Sequence, residues 1–115
     1  MTITKLATIM NEYIQVVTTV NDEKRANEIA SLLLEKRAVA CVQIIGPIAS
    51  SCWWKGEIRR TNEWMCLAKA RAEDYEKIQA TIENAHPYEV PEIVAVPIHG
   101  NPAYLSWIRE ETTSK

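Results

Sequence analysis

The sequence predicts an α+β fold, and three observations carry the prediction. β-Branched runs and segments with a helical apolar period alternate in the order strand, helix, strand, strand, helix, strand. The two middle strand runs meet at Lys55-Gly56, a tight-turn pair, so they read as one long β-hairpin. A last amphipathic stretch opens on Asn101-Pro102, a helix-start pair. That order is the split βαβ, ferredoxin-like plan: a sandwich with both main helices on one face of the sheet and right-handed crossovers, here with a long β-hairpin and an extra C-terminal helix. The 115 residues fit one domain, and 47 % apolar with 24 % charged residues can fill its core without metal or disulfide staples. Residues 1–12 read as a loosely held leader arm, 13–110 as the domain and 111–115 as a polar tail.

Taken in order, YIQVVTTV from Tyr13 to Val20 is β-branched and bounded by Asn21-Asp22, which reads as a buried strand. Asn21 or Asp22 caps the next helix, Lys36 and Arg37 suit its negative end, and Ala26, Ile29, Ala30, Leu33 and Leu34 form its apolar stripe. The next run, AVACVQII, is interrupted at Gly46-Pro47 and continues from Ile48 to Trp54. The returning run, Glu57 to Ala70, puts Ile58, Trp64, Cys66, Ala68 and Ala70 on one face, and Arg59, Thr61, Glu63, Met65, Leu67 and Lys69 on the other. Glu73 to Asn84 predicts a helix with Tyr75, Ile78 and Ile82 inward, poorly capped by Ala72 and stopped by His86-Pro87. Val90 to Ile98 predicts a final strand whose Pro97 belongs at a strand end or sheet edge. In the last helix Asn101 caps, Pro102 takes the first position, and Tyr104, Leu105, Trp107 and Ile108 supply the apolar surface.

Charge and composition exclude several function classes. Fifteen acidic against thirteen basic residues give −2, and no basic cluster exceeds a pair, so neither nucleic acid nor a membrane surface is an expected partner. No apolar run approaches the roughly 20 residues of a membrane span, and Leu6 to Met10 is too short for a secretory signal. Three cysteines, Cys41, Cys52 and Cys66, without a C-x-x-C pair suit reduced buried thiols and a reducing, cytoplasmic setting. Three glycines cannot build the usual phosphate-cradling loops, and no G-x-S-x-G occurs. Neither histidine has an adjacent nucleophile, so a small hydrolase ranks last among the readings.

The densest chemical signal is His86-Pro87-Tyr88-Glu89-Val90-Pro91-Glu92, an extended segment braced by two prolines. Its imidazole, phenol and carboxylates suit a borderline divalent metal or a small cationic ligand, with His86 and Glu89 as the metal candidates; the alternative is that His86 caps the helix end. Cys41 is the best-placed thiol for a soft ligand, against the alternative of a small core residue. His99 reads as a turn residue. Lys69, in the strand end LAKA, either snorkels to the rim or pairs with Glu92 or an anionic ligand, which defines a candidate ligand cleft of Lys69, Tyr88 and Glu92. Trp53 and Trp54 sit at the hairpin turn with Trp64 farther along, and such indoles suit an interface between subunits. Strand runs of about 14 residues span about 46 Å, more than a domain this small can cover, so half the hairpin should project or bend at Gly46-Pro47, and a projecting arm should pair with another copy.

The segments LLLEKRAVACVQIIGPIASSCWWKGEI, HPYEVPEIVAVPI and NPAYLSWI closely resemble the CutA family of divalent-cation tolerance proteins, over about Tyr13 to Ile108. The resemblance implies a cytoplasmic homotrimer of ferredoxin-like subunits linked to tolerance of copper and other divalent cations. It implies copper binding in some members and no established catalytic reaction, so no cofactor is required. The architecture also resembles trimeric PII-type signalling proteins, which bind small ligands between subunits; a ligand held there by Lys69, Tyr88 and Glu92 is the alternative function. Copper-binding members carry a Cys at the end of the first strand, where this chain has Thr18, and a His-His pair before the Pro-Tyr, where it has Ala85-His86. The tyrosine usual before the two tryptophans is Cys52. The expected copper site is therefore weak and centred on His86.

Overall fold

The structure, a computed structural model, describes residues 11–113. Most of the leader expected over 1–12, and the end of the tail, lie outside the described residues. The elements are β1 (Tyr13–Val20), α1 (Glu23–Glu35), β2 (Cys41–Trp54), β3 (Glu57–Arg71), a 3₁₀ turn (Ala72–Asp74), α2 (Tyr75–Ala85), β4 (Ile93–Ile98) and α3 (Pro102–Thr112). One antiparallel sheet runs β2-β3-β1-β4, so the predicted order and class hold.

Local chemistry accounts for most boundaries. Asp22 caps α1 by accepting the Lys24 N–H at 2.9 Å. The helix closes with Arg37 in the left-handed region, φ 54°, while Ala38 N–H bonds Leu33 O, which satisfies a terminal carbonyl. Lys36 is thus the cap residue rather than a last-turn cation. Leu34 is a correction: it is 43 % exposed, because the buried stripe is Ala26, Ile29, Ala30 and Leu33, and Leu34 falls past its edge. Lys55 and Gly56 both take positive φ, 50° and 82°, which gives the tight turn between β2 and β3 its twist.

Other expectations shift by a few residues. The second helix begins with the 3₁₀ turn and makes no side-chain cap bond, as the lack of an acceptor at Ala72 leads one to expect. β4 starts at Ile93 rather than Val90; Pro91 has no ladder donor, and Val90 is 67 % exposed. Pro97 does lie on an edge strand. Asn101 occupies the cap position of α3 without a side-chain bond, and Tyr104 and Trp107 remain partly exposed, their rings 5.5 Å apart. The helix continues to Thr112, which is buried, so the tail begins later than expected.

The core lies between one sheet face and the helices, where Ile14, Val16, Ala68 and Ala70 meet Ile29 and Leu33 of α1 and Ile78 and Ile82 of α2. Alternation puts Val17, Leu67, Lys69, Val94 and Val96 on the opposite face, with Ile45 and Met65. That face is largely open: Ile45 is 51 % exposed, and Val94 and Val96 are each 47 % exposed. β1 pairs with β3 only as far as Val20 opposite Trp64, so the ladder from Ile48 opposite Glu63 to the turn projects as a two-stranded arm. The register slips by one residue between Ile45 and Ile48, at Gly46-Pro47, where the strand bulges without ending.

Candidate functional site

The segment that carries the strongest chemical signal leaves α2 at His86 and crosses the end of the sheet beside Val20 and Trp64. Its geometry begins with the histidine. His86 is buried, its Nε2 lies 2.8 Å from the Thr19 carbonyl, and its Nδ1 accepts the Tyr88 N–H at 3.2 Å. A carbonyl can only accept and an N–H can only donate, so these partners fix the tautomer with hydrogen on Nε2. Both nitrogens are therefore occupied in positioning the chain, and the backbone N–H of His86 caps α2 by bonding Ile82 O at 2.8 Å.

That turn delivers Tyr88. Its ring stands edge-on to His86 at 4.6 Å, and its phenol donates to Glu63 Oε2 at 2.8 Å. Partial burial, with the neighbouring Glu63 carboxylate, pushes the phenol far above its ordinary range. Glu63 itself is only 6 % exposed. Sequence reasoning placed Glu63 on the polar face of its strand and missed its burial, because the residue that covers it lies 25 positions away. The nearest signal was the proline bracing that holds Tyr88 in place.

The remaining candidates are dispersed. Glu89 forms an exposed ion pair with Lys55 at the hairpin turn, 3.6 Å. Cys41 is half-buried on β2 opposite Lys69. His86, Glu89 and Cys41 therefore do not meet, and among the described residues no group of three His, Cys, Asp or Glu side chains is arranged to hold a metal. Thr18, at the position where copper-binding relatives were expected to carry Cys, is fully buried with its hydroxyl unpartnered. The residues present do not fit a copper centre within one chain.

The cleft of Lys69, Tyr88 and Glu92 also does not assemble within one chain. β1 is antiparallel to both β3 and β4, so the end of β3 lies beside the end of β4, where Tyr13 faces Arg71 and Ile98. Glu92 precedes β4 at the other end of the sheet, while Lys69 reaches Gln43 Oε1 at 3.4 Å. No Lys69–Glu92 ion pair forms among the described residues.

The indoles behave differently from one another. Trp53 is 73 % exposed, and Trp54 is half-buried with the Lys55 ammonium 5.4 Å from its ring centroid. Trp64 instead packs within its own chain, against the Val20, Ala26 and Cys66 cluster and over Gly46. Of the thiols only Cys66 is buried; Cys52 is exposed, which corrects the expectation of three buried thiols.

A four-stranded ferredoxin-like sheet, two helices on one face and a projecting hairpin define the class as a small α+β protein with an open sheet face. The comparisons with known proteins name the family. Residues 14–111 match the family model described as CutA1 divalent ion tolerance protein, and the chain belongs to that family. The divalent-cation tolerance protein CutA of Thermus thermophilus is 42 % identical over 98 residues, covering 84 % of this chain and 95 % of that protein. Protein CutA of Mus musculus is 39 % identical over 81 % of this chain, which spans 53 % of the mouse protein. Among solved structures, CutA of Xylella fastidiosa superposes with a TM-score of 0.86 at 31 % identity, covering 89 % of this chain and 99 % of that one. The periplasmic divalent cation tolerance protein CutA of Archaeoglobus fulgidus gives 0.85 at 34 %, covering 88 % and 99 %.

Proposed function

We propose that this protein serves divalent-cation tolerance as a non-enzymatic homotrimer. The observation that carries the reading is the sheet face opposite the helices, where Ile45, Val94 and Val96 are about half exposed beside Met65 and Leu67. Contiguous apolar surface of this kind is normally covered by another protein surface. A head-to-tail contact between identical copies makes a ring where its rotation closes, and the resemblance to the CutA family implies three. A reducing compartment, the cytoplasm, suits the three free thiols, one of them exposed. Light scattering after size exclusion tests the assembly: a mass near three chains at low micromolar concentration is expected, and a stable folded monomer overturns it.

Metal contact in this reading is weak. An ion at His86 must displace the Thr19 or the Tyr88 hydrogen bond, and the neighbouring donors are few and hard. Calorimetry with Cu(I) is expected to give modest affinity that falls in His86→Ala; a tight one-per-chain complex that survives the substitution refutes this part.

A second reading, a PII-like sensor of a small organic ligand, requires contact between copies. Lys69 lies at the opposite sheet end from Tyr88 and Glu92, so these three can share a cleft only between copies.

A further inference from the structure

Glu63 is a carboxylate with an incomplete environment. It is 6 % exposed, its hydrogen-bond partner is the Tyr88 phenol at 2.8 Å, and no lysine or arginine of the described residues forms an ion pair with it. A buried carboxylate is costly to keep unless a cation or several donors compensate it, and one phenol is a modest compensation. The chain also carries the converse case. Lys69 stands half-buried on the open sheet face beside Leu67, and its partner is a neutral amide, Gln43 Oε1, at 3.4 Å. If that face is covered, an ammonium held only by an amide is driven to find an anion.

The two groups cannot meet within one chain. Both occupy odd positions of β3, hence the same side of an unbroken strand, but they lie six positions apart, 63 to 69, or about 20 Å at strand rise. Opposite charges at opposite ends of one face match when the head of one copy meets the tail of the next.

We propose that Glu63 and Tyr88 of one copy form an acceptor site for the Lys69 ammonium of a neighbouring copy, so that each site in the assembly is completed by a second chain. This rests on the homotrimer reading above and goes beyond it by naming the groups that meet. The phenol holds one carboxylate oxygen and leaves the other for the incoming ammonium. The same pairing would bring the Lys69 end of one sheet to the Tyr88 and Glu92 end of the next, groups that lie apart within one chain.

Carbodiimide coupling of the unaltered protein tests this directly, because it joins a carboxylate to an amine only when the two are in contact. After mixing and reassembly of isotopically light and heavy chains, digestion is expected to yield a Glu63–Lys69 cross-linked peptide pair containing one light and one heavy half. In parallel, Glu63→Gln and Lys69→Met should each raise the concentration at which the assembly dissociates by about tenfold, with the double substitution no worse than the more damaging single one. Far-ultraviolet circular dichroism reports whether each variant has folded. A trimer in which the two substitutions act additively, or in which Glu63 couples instead to Lys24, Lys36, Lys55 or Lys77, overturns the pairing while leaving the trimer standing. A monomeric wild-type chain overturns both.

Discussion

Cys66 is 1 % exposed, its Sγ lies 3.8 Å from the Ala26 carbonyl, and burial pushes its thiol up to about 11 from an ordinary 9.0. The folded state therefore holds this proton more tightly than the unfolded chain does. The stabilisation is complete below pH 9 and is lost as pH rises toward 11. Between pH 8 and pH 11, urea denaturation should show a loss of stability about 2 kcal/mol larger in the unaltered protein than in Cys66→Ala, which retains the contribution of the raised Tyr88 phenol. Equal losses in both proteins would assign the effect to other groups. The Tyr88 phenol presents a complementary case: Tyr88→Phe preserves the ring beside His86 but leaves Glu63 buried without its donor. Removing one partner of a buried polar pair exposes the desolvation cost of the other, so stability at neutral pH should fall by about 1–3 kcal/mol, measured by the same denaturation. A change within experimental error would mean that Glu63 reaches solvent or a second donor.

At the scale of elements, the arm is set at its root by a close approach between two of them. A Cβ added to Gly46 of β2 would sit 2.6 Å from Trp64 Cγ and 2.8 Å from its Nε1, inside the ring that packs there. Gly46→Ala must displace either the indole or the strand, and overpacking of this kind costs about 1–3 kcal/mol. The expected signature is a lower urea midpoint together with shifted tryptophan emission; an unchanged midpoint would show that the bulge yields freely. Contacts of this sort divide what the sequence disclosed from what it withheld. The α1 cap at Asp22, the Lys55-Gly56 turn, the projecting hairpin and the order of strands were legible because each rests on local residue chemistry or on strand length. The late start of β4 was misread because β-branched residues beside Pro91 suggest pairing that proline cannot complete. Trp64 on Gly46 and Tyr88 on Glu63 were not legible, since each joins residues whose proximity no local period encodes. The candidate site was thus half visible: the HPYEVPE segment stood out, but its partner Glu63 and the full occupation of His86 required the fold.

For the whole molecule, the principal extents of 48 × 33 × 22 Å reflect a compact sheet-and-helix body drawn out by the arm. Two different surfaces could drive assembly, the exposed arm tip at Trp53 and the open sheet face around Leu67 and Val94. They make distinct demands. The arm is a narrow two-stranded ribbon with free edges, well suited to extend a neighbour's sheet, but a ribbon alone buries little continuous apolar area. The open face presents several aliphatic side chains on one rigid surface, and its central residues are tied to the core through β1 and β3. If the face dominates, a charge placed at its centre should prevent association without disturbing the fold, because a side chain already 47 % exposed loses no intrachain core packing. Val94→Lys is therefore expected to give a folded single chain by light scattering, with unchanged far-ultraviolet circular dichroism, at concentrations where the unaltered protein is expected to show a mass near three chains. Trp53→Ala should weaken the same assembly without abolishing it. The reverse result, an intact trimer in Val94→Lys and a monomer in Trp53→Ala, would transfer the driving force to the arm, because the hairpin edges would then hold the copies together without the sheet faces.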